Sequence, residues 1–120
     1  MNHLVFDIET NGLLPDVDVI HCIHGVDTET RETFDVTPSD IPKYDWGSLN
    51  DHILIGHNIL RYDLPVINHI HPGTFDIEDM LNRGQIIDTL IVSQVVYPNL
   101  KELDFERVRK LKQKHGDDKE

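Results

Sequence analysis

Two acidic residues interrupt the apolar run near the start of the chain, in the segment His3–Thr10 (HLVFDIET). A nearly continuous apolar run of this length is typical of a buried central β-strand. Because side chains alternate between the two faces of a strand, Asp7 and Glu9 should lie on one face and Phe6 and Ile8 on the other. The segment therefore predicts a central strand that directs two carboxylates toward the same side of a sheet.

Two carboxylates on one face of a strand repel each other unless a positive charge lies between them. A divalent cation such as Mg²⁺ or Mn²⁺ prefers hard oxygen ligands and would satisfy Asp7 and Glu9 if further carboxylates joined them. The alternative is a strand whose acidic side chains simply face water, and the Asp-x-Glu pattern alone does not distinguish these two interpretations. The rest of the chain has to decide between them.

The length and composition of the chain limit the class of protein. With 120 residues we expect a single domain over 1–120, with a charged and frayed tail over 105–120. No apolar run is long enough for a membrane span and the single cysteine cannot form an intramolecular disulfide, so we expect a cytoplasmic protein. The 11 basic and 22 acidic residues give a net charge of −11, which argues against broad adhesion to a nucleic-acid backbone.

The order of apolar runs and turn-forming residues predicts an α/β fold. Strands are predicted over residues 3–10, 19–26, 31–36, 52–56 and 85–87, the first three as an antiparallel meander. Helices are predicted within residues 44–51, 59–70, 76–82, 90–96 and 103–114, and Asp88 or Thr89 is expected to cap the fourth of them.

A second group of polar residues follows the predicted strand over residues 52–56, where the sequence reads GHNILRYDLP. Asn58 comes just after this strand and Asp63 lies at the start of a predicted helix. Ligands of open α/β sheets bind beyond the carboxyl ends of the parallel strands, so Asp63 is expected to approach Asp7 and Glu9. Because a helix N-terminus is locally positive, Asp63 is also expected to be ionised.

The motifs DIET at residues 7–10 and HN-x-x-x-YD-x-P at residues 57–65 resemble the first and second exonuclease motifs of the DEDD superfamily. The run over residues 87–101 resembles the following segment of family A DNA polymerases of short-tailed phages. This resemblance covers about the first 104 residues. It implies a ribonuclease H-like fold, with a five-stranded mixed sheet flanked by helices and without the family's C-terminal helices, in a phage protein acting inside a bacterial host.

The resemblance also implies a function, that of a metal-dependent 3′–5′ exonuclease that proofreads newly made DNA during replication. Asp7, Glu9 and Asp63 would then be catalytic residues and ligands of Mg²⁺ or Mn²⁺, with two ions in the complete site of the family. The residues that the resemblance places against the single-stranded 3′ end of DNA are Thr10, Leu13, Asn58 and Tyr62.

The chain departs from the family pattern at its third motif, Tyr-x-x-x-Asp, which supplies a fourth carboxylate and is not found in this sequence. Activity of the fragment is therefore open, and the alternative is a non-catalytic polymerase fragment that binds nucleic-acid ends or another protein. Without the helix that carries the third motif, one sheet face should be uncovered. We expect that face to meet the remainder of a DNA polymerase or a second copy of the chain.

Overall fold

Five strands form the sheet in the computed structural model, which describes residues 1–96. The strands are β1 (His3–Thr10), β2 (Ile20–Asp27), β3 (Thr33–Val36), β4 (Ile53–Gly56) and β5 (Ile86–Asp88). They are arranged in the order β3-β2-β1-β4-β5. The pairs β1–β2 and β2–β3 are antiparallel, whereas β4 runs parallel to both of its neighbours, β1 and β5. The predicted α/β class with a five-stranded mixed sheet is confirmed, and the arrangement is consistent with a ribonuclease H-like fold.

Helical segments connect the later strands of the sheet or follow the last one. They are α1 (Leu64–Ile70), α2 (Ile77–Asn82) and α3 (Thr89–Val96), with short 3-10 helices at Ile41–Lys43 and Trp46–Asp51 and a π-helical turn at Ile59–Asp63. The predicted helix over residues 59–70 therefore begins as a π turn. In the part of the chain that the structure describes, no helix has the length and apolar character needed to cross a membrane.

The chain divides into two compact units, Met1–Thr89 and Leu90–Glu120. The first unit contains the whole sheet and all the residues of the candidate site. The expected single domain over 1–120 stays a prediction. The helix predicted over residues 103–114 and the charged tail over 105–120 lie outside the described residues.

The hydrophobic core lies against one face of the sheet. On β1, Phe6 and Ile8 are buried whereas Asp7 and Glu9 are exposed, which confirms the predicted alternation. The buried residues that cover this face from the helical layer are Trp46, Leu49, Ile59, Leu64, Val66, Ile67 and Met80. Because burial of the apolar side chains fixes the orientation of β1, it also fixes the direction of the two carboxylates.

The C-terminal half of β1 extends beyond its neighbour β4. The two strands pair from His3 opposite Ile53 to Val5 opposite Ile55, and β4 ends at Gly56. A Cβ atom at Gly56 would lie 2.2 Å from Cγ2 of Ile59. Glycine therefore lets the chain fold back closely over the end of β4, and the π turn begins beside the second half of β1.

Candidate metal site

Asp63 is carried toward β1 by the π turn. The N–H of Leu64 donates to the carbonyl of Ile59, which gives this turn one residue more than an α-helical turn. Asp63 is 3% exposed, and its carboxylate lies near the backbone N–H of Ile8, which acts to lower its pKa. Ile8 lies between Asp7 and Glu9 in β1, so the third predicted ligand reaches the strand that carries the other two.

The carboxylate of Asp63 is buried and incompletely paired. Burial raises the pKa of Asp63 to about 7, and repulsion by the charge of Asp7 is the second cause. Its Oδ2 atom is buried without a hydrogen-bond partner. A buried carboxylate oxygen in this state is costly unless a proton or a cation satisfies it. The expectation that a helix N-terminus keeps Asp63 ionised is wrong, because burial outweighs the helix dipole and the side chain makes no capping hydrogen bond.

Glu9 lies on the same exposed face of β1 as Asp7. Over residues 1–96, no group of three or more Asp, Glu, His or Cys side chains converges closely enough to hold a metal ion. The charge of Asp7 acts on the carboxylate of Asp63, whereas Glu9 shares with Asp7 only the exposed face of β1. The three predicted ligands are all carboxylates, whose oxygens are the donors that Mg²⁺ and Mn²⁺ prefer, and their role as metal ligands stays a prediction.

Thr10 and Tyr62 meet where β1 ends. The Tyr62 hydroxyl donates to the carbonyl oxygen of Gly12 at 2.7 Å, and the Thr10 hydroxyl lies 2.9 Å from the same oxygen. The two hydroxyl groups also contact each other. This network ties the π turn to the end of β1, and the predicted contacts of both side chains with DNA stay predictions. Leu13, also predicted to contact DNA, is 72% exposed just beyond the network.

The backbone of Asn58 is anchored by Asp88, a contact that the sequence did not indicate. Asn58 adopts the left-handed conformation, with φ of 62°, and its N–H donates to Oδ1 of Asp88 at 2.9 Å. The N–H of Leu60 donates to Oδ2 of the same carboxylate at 3.0 Å. Asp88 is buried at the end of β5. Its predicted role as a cap of α3 stays a prediction. The only sequence signal for its contacts with the turn after β4 is that an acidic residue ends an otherwise apolar strand.

The exposed face of β1 continues across β2 and β3 as a second polar region. His24 lies opposite Asp7 in the strand register, and Asp35 lies opposite His24. The Nδ1 atom of His24 is 2.5 Å from Oδ1 of Asp35. These three side chains, together with Val5 and Val26, line a shallow groove of about 450 Å³. The groove lies on the face where a partner was expected, and that partner stays a prediction.

Comparison with known proteins finds similarity to phage DNA polymerases. The chain is 32% identical over 110 residues to the DNA-directed DNA polymerase of Escherichia phage T7 and 31% identical over 110 residues to that of Enterobacteria phage T3. Each alignment covers 88% of this chain and 16% of the polymerase, so the chain spans about a sixth of the length of these curated relatives. No family model matches the chain. Over most of its length, the chain is therefore similar to one portion of these phage DNA polymerases.

Proposed function

We propose that the chain is a 3′–5′ exonuclease portion of a phage DNA polymerase. In this proposal Asp7, Glu9 and Asp63 hold Mg²⁺ or Mn²⁺ and hydrolyse the terminal phosphodiester bond at the 3′ end of single-stranded DNA. The observation that carries the proposal is the buried Oδ2 atom of Asp63, which has no hydrogen-bond partner and lies beside the charge of Asp7. A cation is the ligand that would satisfy this oxygen and relieve the repulsion between the two carboxylates.

The three carboxylates would have different roles as ligands in this function. Asp63 is held by its burial, so one ligand is preorganised, whereas the exposed Asp7 and Glu9 can adjust around an ion. Bound ions of this kind lower the pKa of a water and neutralise charge on a leaving oxygen. With its pKa raised to about 7, Asp63 is partly protonated near neutral pH, and an ion held there would favour the ionised form.

The similarity to DNA-directed DNA polymerases supports DNA as the substrate and proofreading as the purpose of the cleavage. In this proposal Thr10, Leu13, Asn58 and Tyr62 would contact the terminal nucleotide. The remainder of a polymerase, or a second copy of the chain on the exposed face of β1, would be the protein partner.

Degradation of labelled DNA tests the proposal. The chain is incubated with Mn²⁺ and a single strand labelled at its 5′ end, and we expect a ladder of products shortened from the 3′ end. Asp7→Ala should abolish the ladder. Glu32→Ala, which removes an exposed acidic side chain outside the site, should leave it unchanged. Cleavage that persists at the wild-type rate in Asp7→Ala would come from another nuclease and would refute the assignment.

A non-catalytic fragment is the second candidate function. It is favoured by one observation, the lack of three converging metal-binding side chains within residues 1–96. In that case the chain binds single-stranded DNA, measured by fluorescence anisotropy of a labelled strand, without shortening it in Mn²⁺. Binding without cleavage would select this candidate, whereas a ladder that depends on Asp7 would exclude it.

A further inference from the structure

We infer that Asp88 is a positioning residue of the carboxylate site, which sets metal affinity by holding the turn that carries Asp63. This inference rests on the proposed metal-dependent function. Asp88 lies in β5 and is absent from both sequence motifs, and no role in the site follows from its position in the sequence. Its assignment comes from the contacts that its buried carboxylate makes with another segment of the chain.

The register of the sheet places Asp88 beneath the turn. Asp88 pairs with Gly56, the last residue of β4, so its side chain lies at the carboxyl edge of two parallel strands. From there each carboxylate oxygen accepts one backbone N–H, that of Asn58 or that of Leu60. Asp63 follows Leu60 by three residues. A shift of the anchored segment is therefore passed directly to the Asp63 carboxylate.

The anchored segment has a conformation that local sequence preferences do not favour. Asn58 has a positive φ and the next five residues form a π turn, which is rare in proteins. Such conformations persist only where the surrounding structure determines them. Gly56 supplies the space for the turn and Asp88 supplies its two acceptors. Without the acceptors, we expect the turn to relax and to move Asp63 away from Ile8 and Asp7.

The negative charge of Asp88 is a competing explanation for any effect on metal binding, because a nearby charge attracts a cation at a distance. Two variants separate position from charge. Asp88→Asn removes the charge and turns an amide NH₂ toward one of the two N–H groups. Asp88→Glu keeps the charge but displaces the carboxylate by one methylene. A positioning role predicts that both variants weaken metal binding, whereas a charge effect predicts that only Asp88→Asn does so.

Gln85 offers a matched control for stability. It is also buried, it immediately precedes β5, and its side-chain amide donates to the carbonyl groups of Asn50 and His52 near the start of β4. Gln85→Leu should therefore destabilise the fold from the opposite end of the same strand pair. It should leave the turn after β4 in place.

The experiment titrates the full chain and each variant with Mn²⁺ at pH 8.5, following free Mn²⁺ by electron paramagnetic resonance. We expect Asp88→Asn and Asp88→Glu each to raise the dissociation constant at least tenfold, with Gln85→Leu within twofold of wild type. The inference is overturned if Asp88→Glu binds like wild type, which would leave only a charge effect. It is also overturned if Gln85→Leu loses as much affinity, which would leave only a stability effect.

A metal-free measurement distinguishes failure of this inference from failure of the proposed function. Amide hydrogen exchange followed by NMR reports the turn through Tyr62 and Leu64, whose N–H groups donate to Asn58 and Ile59 and not to Asp88. Both Asp88 variants should accelerate exchange at these two amides at least tenfold relative to Gln85→Leu. If the wild-type chain binds no Mn²⁺, the proposed function fails, and with it the claim that Asp88 sets metal affinity. Accelerated exchange in the Asp88 variants would still show that Asp88 holds the turn. Unchanged exchange in both Asp88 variants would overturn the positioning role itself.

Discussion

Two buried carboxylates lie near each other at the carboxyl edge of the sheet, and their environments are opposite. Asp88 is 5% exposed and Asp63 is 3% exposed, so both have lost nearly all contact with water. Each oxygen of Asp88 accepts a backbone N–H, from Asn58 or Leu60. The Oδ2 atom of Asp63 has no partner, and burial raises the pKa of this residue to about 7.

The contrast shows that burial alone does not identify a functional acid. A carboxylate that accepts N–H groups at both oxygens is a fixed part of the framework, because its charge is already compensated. A carboxylate with an unpaired oxygen responds to its surroundings, since a proton or a cation can complete it. We therefore expect substitutions at Asp63 and Asp88 to change the stability of the fold in opposite directions.

Replacement of Asp63 by Asn should have the largest effect on stability. The folded pKa of about 7 lies above the unfolded value of 3.8, so the folded state holds the proton more tightly and wild-type stability falls as pH rises from about 4 to about 7. Above that range the penalty is complete, on the order of 4 kcal/mol. Asp63→Asn removes it and should exceed wild type in free energy of unfolding at pH 8, with the gain vanishing near pH 4. Urea denaturation at both pH values measures the difference, and an equal pH dependence for the two proteins would contradict it.

Asp88→Asn should instead destabilise the metal-free protein. The amide can accept from only one of the two N–H groups, and loss of a hydrogen bond to a charged acceptor costs about 2 kcal/mol. Urea denaturation at pH 8 should therefore place Asp88→Asn below wild type and Asp63→Asn above it. A stabilised Asp88→Asn would mean that both acids are strained, and the contrast between them would disappear.

Gly56→Ala tests whether the turn depends on its close approach to β4. The added Cβ would lie 2.2 Å from Cγ2 of Ile59, and overpacking of this kind costs about 2 kcal/mol. Gly12→Ala is the matched control, since a Cβ there meets nothing within 4 Å. Thermal unfolding should show a lower Tm for Gly56→Ala only. Equal Tm values for the two variants would mean that the turn does not depend on its close approach to Gly56.

Tyr62→Phe should have the smallest effect. It deletes the hydrogen bond from the Tyr62 hydroxyl to the carbonyl of Gly12, which is worth about 1 kcal/mol. The half-buried ring would remain in place against the core. Chemical denaturation provides the measurement. A loss as large as that of Asp88→Asn would show that the hydroxyl network, and not the carboxylate of Asp88, is the main support of the turn.

Much of the fold followed from the sequence because it depends on short-range periodicity. Alternation in β1 placed Phe6 and Asp7 on opposite faces, and the order of apolar runs predicted all five strands. The predictions for β1 and for the five strands succeeded because each depends on neighbouring residues. The rule that ligands gather at the carboxyl ends of parallel strands predicted that Asp63 would approach Asp7 and Glu9. The charge of Asp7 does act on Asp63, but over residues 1–96 no group of three such side chains converges. The length of β3 was overestimated, since it begins at Thr33.

The conformation and the burial of the candidate site could not be predicted from sequence patterns. The helical spacing over residues 59–70 does not reveal that its first turn is a π turn, because Leu64, Ile67 and Ile70 keep the same spacing within α1 after either kind of turn. The hydrogen bonds of Asp88 depend on the register between β4 and β5, which is set by residues far apart in the chain. The raised pKa of Asp63 depends on how completely the fold excludes water, and a motif carries no information about that.

The extra residue in the turn at Ile59–Asp63 sets the rotation of α1 relative to the end of β4. Each residue of an α-helix turns the chain by about 100°, so a deletion of one residue there would rotate α1, together with Asp63 directly before it, relative to the two amides that Asp88 holds. The buried side chains of α1 and the hydrogen bonds of Asp88 could then not both be kept. Among related sequences, we therefore expect a gap of one position in this turn to occur together with changes at Asp88 or on the buried face of α1.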